Sequence, residues 1–224
     1  MKQDVQQRHI PPLLLTPCDD IEALFATASE QEEDIELVLF ENLVLEGGEY
    51  PALTFRNCRF VNCRLSGCSL SRVAFIDSAL LQCDLSNTQM PKGTLQRTTL
   101  SDCKLLGVTL SESFLLDAVF ERCIARYSNF TSSKLRHVRF TDCDLTSGSL
   151  SGCQLSATKF SNCMLTRAEL FQTAFSGIDL STCALSGISI SGGELKNARV
   201  NIEQAAMLGQ LLAGVILSDE LPSQ

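Results

Sequence analysis

The chain has no tryptophan and, in 224 residues, only two histidines, His9 and His137. A zinc site or a histidine-based acid–base centre therefore has little to draw on. There is no CxxC pair, no glycine-rich phosphate loop and no nucleophile with a paired base. The opening MKQDVQQRHIPPLLLT lacks the apolar run of a secretory signal, and nothing later approaches the length of a membrane span. These absences lead to the expectation of a cytoplasmic protein with no membrane association, no catalytic residues, no cofactor and no metal.

What the chain does contain is a period. Every fifth residue from Phe40 to Val200 is apolar or aromatic, thirty-three positions without a slip, and Ala125 is the only small one. Neither an α-helix nor a flat strand sustains a repeat of five. A chain that holds this repeat in one phase turns a corner every five residues and winds into a coil.

The cysteines supply a second period. Ten of the eleven lie two residues before a multiple-of-five position, and seven of them, Cys63 to Cys183, recur every twenty residues. Four pentads per turn would stack residues twenty apart directly above one another. The column two before each large residue is small almost throughout, so a narrow four-sided coil can be filled by one large and one small inward side chain per side. Thiols in such a column read as buried filler in a reducing compartment rather than as disulfides or metal ligands. Gly67, Asn87, Gly107 and Gly187 mark one corner as a turn whose third residue has positive φ, and the other three corners are free to differ.

Coils about 4.8 Å apart give roughly eight turns and a rod about 40 Å long. The ends need caps. Residues 1–35 form an acidic segment in which Ile21, Leu24, Phe25 and Ala28 share one helical face. Residues 36–200 form the coil. Residues 201–217 break the period and read as a helix behind Asn201, followed by a tail at 218–224.

Pentads such as Cys83-Asp84-Leu85-Ser86-Asn87, Cys143-Asp144-Leu145-Thr146-Ser147 and Ile178-Asp179-Leu180-Ser181-Thr182 resemble the A(D/N)LXX consensus of the pentapeptide repeat family. That resemblance implies an all-β solenoid, a right-handed quadrilateral parallel β-helix, here followed by a C-terminal α-helix. Members of the Qnr and MfpA type are dimers joined at their C-terminal ends, which mimic B-DNA and protect DNA gyrase or topoisomerase IV from fluoroquinolones. By resemblance, this chain is a homodimer and a DNA mimic with a type II topoisomerase as partner. Ile202, Leu208, Leu212, Val215 and Ile216 on the C-terminal helix are the candidate dimer interface.

The alternative is a scaffold or regulatory protein with another protein partner. Its charge of −8 is unevenly spread: residues 1–39 carry −7, residues 201–224 carry −3, and the repeat body carries +2. Asp84, Asp102, Asp142 and Asp144 gather near one corner but are interleaved with Arg64, Lys104 and Arg126. Lys134, Arg136 and Arg139 form a basic cluster, with Lys159, Arg56, Arg59, Lys196 and Arg199 on the same two sides, yet the aromatics that would stack nucleic-acid bases are core residues, so direct nucleic-acid binding is not expected. Ile76, Phe114 and Leu116 should point outward on one side, making them candidate partner contacts.

Overall fold

The computed structural model describes residues 21–31 and 33–213. Helix α1 (Ile21–Gln31) precedes fourteen three-residue strands. They come in pairs: β1 (Asp34–Glu36) with β2 (Leu39–Glu41), β3 (Thr54–Arg56) with β4 (Arg59–Val61), and β5 (Ala74–Ile76) with β6 (Ala79–Leu81). The series continues through β7 (Thr94–Gln96) and β8 (Thr99–Ser101), then β9 (Phe114–Leu116) and β10 (Val119–Glu121). It closes with β11 (Lys134–Arg136) and β12 (Arg139–Thr141), then β13 (Gln154–Ser156) and β14 (Lys159–Ser161), before helix α2 (Ile202–Ala213). The odd strands form one seven-stranded parallel sheet and the even strands another.

Each strand pairs with the one twenty residues on, as in Phe55↔Phe75 and Phe60↔Leu80. The other two sides of the coil are joined by single bridges, Arg64↔Asp84 and Ser69↔Gln89 among them. The result is a four-sided parallel β-solenoid. Its two sheets span six turns, against roughly eight coils expected from the period. Beyond Ser161 the inward column continues, but neighbouring coils are held by single bridges such as Met164↔Ala184 and Asp179↔Arg199.

All four corners carry a left-handed residue two positions past the large inward one: φ is +51° at Asn57, +54° at Asn62, +69° at Gly67 and +59° at Arg72. Only one of these corners was legible from glycine and asparagine. Arg72 and Tyr127 (φ +57°) occupy a conformation that is costly for a bulky residue, and stacking on the neighbouring coils holds them there. Two corners close with turn hydrogen bonds, Cys68 N–H to the Leu65 carbonyl and Val73 N–H to that of Leu70, and the two corners flanking each even strand are open bends.

The core is a stack of like residues. Phe40 lies parallel on Phe60 at 4.5 Å, and Phe120 on Phe140 at 4.7 Å. The small column beside them is wholly buried from Cys58 to Cys183. At one end Phe25 of α1 inserts over the first coil, edge-on to Phe40, Tyr50 and Phe55. At the other end Asn201 and Gln204 form a reciprocal capping box at the start of α2. The Gln204 amide also donates to the carbonyls of Leu180 and Cys183, fastening the helix to the last coils.

Candidate partner-binding surface

A three-residue strand in this coil turns its middle side chain inward and its two ends outward. Ile76 ends β5, while Phe114 and Leu116 flank the buried Leu115 of β9. All three are half-buried on the outer face of the odd-strand sheet. The register places Ile76 and Leu116 in one column with Gln96 between them. Phe114 and Leu116 therefore share a rung, and Ile76 stands about 10 Å away along the rod.

On α2, Ile202 is 88% exposed and Leu212 49%. Leu208 is a correction: it is 8% exposed and belongs to the rod's own core, so it seals the last coil instead of facing a second copy. Helical spacing put Leu208 and Leu212 on one stripe, but α2 uses that stripe for two jobs. Val215 and Ile216 lie outside the described residues. Leu211, Tyr127 and Val44 are further exposed apolar side chains. Tyr127 holds a corner position, so the period of five would have found it.

Charge is arranged in ladders. Arg97 grips Asp77 through two hydrogen bonds of 2.6 Å, and Arg122 grips Asp102 through two of 2.7 Å, each pair one turn apart on the same corner. Asp84 faces Lys104 at 4.0 Å, His137 meets Asp117 at 3.2 Å, and Arg126 pairs with Asp144. The Arg122 guanidinium, aided by the Ser101 hydroxyl, holds the Asp102 carboxyl down to about 2. Eight of the fourteen acids of the repeat body, Asp77, Asp102 and Asp144 among them, thus face a base in a neighbouring coil.

A groove of about 370 Å³ runs along one corner, lined by Asn62, Gln82, Arg64, Asp84 and Lys104 among others. No nucleophile–base pair lines it. The thiols of the small column are buried, and that of Cys103 donates to the carbonyls of Leu80 and Ser101. Burial pushes Cys58 and Cys153 up to about 11, away from the reactive thiolate. Among the described residues no helix is long and apolar enough to cross a membrane.

Sequence profiles of the pentapeptide repeat region match residues 73–149, and those of the pentapeptide repeats match 54–87 and 149–187. No curated protein matches the chain by sequence. Among solved structures, HetL, a pentapeptide repeat protein involved in heterocyst differentiation regulation in the cyanobacterium Nostoc, is similar at 16% identity. That match has a TM-score of 0.32 and covers 82% of this chain and 94% of HetL. Full-length QnrB1, a plasmid-mediated fluoroquinolone resistance protein, is 18% identical with a TM-score of 0.35, over 78% of this chain and 98% of its own. A pentapeptide repeat protein from the cyanobacterium Cyanothece is 14% identical, with a TM-score of 0.29 over 80% and 99%. Likeness at this level carries no inference about activity.

Proposed function

The chain belongs to the pentapeptide repeat family, and from that premise we propose that it is a non-enzymatic rod that binds a protein partner through an outer face. The observation that carries this reading is the apolar rung of Phe114 and Leu116, with Ile76 in the same column, on a sheet face that is otherwise mainly polar. Half-buried aromatic and aliphatic side chains gathered on a solvent-facing sheet mark a contact surface. The exposed Ile202 and Leu212 of α2 support association of two copies end to end.

The narrower reading is protection of a type II topoisomerase such as DNA gyrase by posing as duplex DNA. Duplex DNA presents a negative charge about every 1.7 Å of its axis. The repeat body carries +2, and several of its acids, Asp77 and Asp102 among them, are laddered to bases. That charge pattern weighs against mimicry and favours a scaffold that docks by shape and apolar contact.

Phe114→Glu tests the reading. Immobilised wild-type rod should retain from source-cell extract a protein that the variant does not. Identical retained sets from a variant that still folds would refute it.

A further inference from the structure

Eight of the sixteen lysines and arginines of the rod are committed. Arg56, Arg64, Lys92, Arg97, Lys104, Arg122, Arg126 and Arg199 each face a carboxylate. Of the other eight, Lys134, Arg136, Arg139 and Lys159 form one group, and among the described residues none of the four makes an ion pair. They adjoin one another on β11, β12 and β14, across the corner where the two sheets meet, and Arg139 is directly register-opposed to Lys159. Three of the four are exposed and Arg139 is half-buried.

Like charges opposed on neighbouring strands are destabilising. Elsewhere on this solenoid the problem is solved by alternating sign every twenty residues, as at Asp77 and Arg97. The carboxylates of the adjoining corners do not reach ion-pair distance of these four: Asp117 meets His137, Glu121 lies beside Arg122, and Asp142 accepts from the Asn162 amide. The register-opposed pair Arg139 and Lys159, left standing where other stacked columns alternate sign, points to use by a ligand.

The register joins this cluster to the apolar rung. Lys134 sits directly beside Phe114, Arg136 beside Leu116 and Arg139 beside Val119. One rung thus presents Phe114, Leu116 and Val119, with Asp117 at the corner between them and Glu121 beyond, the next carries three cations, and Lys159 adds a fourth on the rung after that. We propose that this composite surface binds an acidic linear segment of a protein partner, with an apolar side chain seated on Phe114 and Leu116 and carboxylates on Lys134, Arg136, Arg139 and Lys159. It rests on the protein-binding reading above and adds the chemistry of the partner. Arginine supplies bidentate contacts to carboxylates, and the apolar rung distinguishes this ligand from a plain polyanion.

The probe is a fluorescein-labelled peptide of glutamate, aspartate, leucine and phenylalanine, followed by anisotropy with the whole chain. A matched peptide with serine for leucine and phenylalanine, and an oligo-dT of equal length, are the comparators. The apolar acidic peptide should bind best, and Lys134→Glu/Arg139→Glu should weaken it at least about tenfold, with affinity falling as salt rises. Arg139→Gln should melt no lower than wild type, because it removes like-charge repulsion. Equal binding of the peptide by wild type and the charge-reversed variant would overturn the proposal, as would oligo-dT or the serine peptide binding as tightly. If the peptide fails while Phe114→Glu still strips a protein from the immobilised rod, the acidic ligand is refuted and the protein-binding reading stands.

Discussion

Phe25 of α1 meets Phe55 of β3 edge-on, ring centroids 5.4 Å apart, and so plugs the open end of the coil. A solenoid buries each coil against the next, leaving the first without a cover unless something is laid over it. Phe25 is 1% exposed and touches three aromatic rings at once. Phe25→Ala should cost about 3–5 kcal/mol in urea unfolding. A loss under about 1 kcal/mol would mean that α1 is not the cap, since that is the range of an ordinary surface change.

Ala125 is the one small member of the large inward column, and by sequence it leaves slack beside Leu105 and Leu145. Its own coil, however, also holds Phe120 and Phe130, whose rings meet edge-on at 6.2 Å. Two phenylalanines on that coil make up the missing volume. Ala125→Leu alone should therefore destabilise by about 1–3 kcal/mol through overpacking. Adding Phe130→Leu should recover most of that loss, giving strong coupling in a double-mutant cycle. Simple additivity of the two changes would show that they do not share space.

Glu194 is tied into the C-terminal coils, where its carboxylate accepts from the N–H groups of Gln172, Ser191 and Gly192. Burial opposes its charge, but its own N–H and those of Gly192, Gln172 and Ser191 more than offset this and draw the carboxyl down to about 2. Because the folded value lies below the ordinary one, the stabilisation is complete above about pH 4.5 and is lost as pH falls toward 2. Glu194→Gln should lower stability at neutral pH by up to about 3 kcal/mol. Between pH 5 and pH 2 the wild type should lose more stability than the variant. Parallel pH–stability curves for the two would contradict this role.

The ten described cysteines are all buried, and burial holds the Cys58 and Cys153 thiols in the neutral form. In a Cys18→Ser background, a disulfide-exchange reagent should label none of them within minutes under native conditions and all ten in denaturant. Rapid native labelling of several would mean that the column opens far more easily than a packed core.

The inward columns were legible because one phase of five admits no other packing, and the cap residue Phe25 was legible from its helical face. The corners were legible only where glycine or asparagine announced them. Arg72 and Tyr127 take the same left-handed turn because their neighbours in the stack impose it, which local propensity does not reveal. The excess coils counted from sequence reflect pentads past Ser161 that keep the apolar period while pairing through single bridges. Leu208 was misplaced because a helix stripe does not say whether it faces its own rod or another. The outward direction of Ile76, Phe114 and Leu116 followed from the period alone. Their adjacency to the unpaired cations required the register.

A rod that docks through an apolar face and one that imitates DNA differ in what they do to a type II topoisomerase. The direct measurement is DNA supercoiling by gyrase of the source organism, with and without a fluoroquinolone, while this protein is titrated in. The laddered, near-neutral repeat body predicts neither inhibition of supercoiling nor rescue from the drug. Rescue at sub-stoichiometric to equimolar protein would contradict it and restore DNA mimicry as the function.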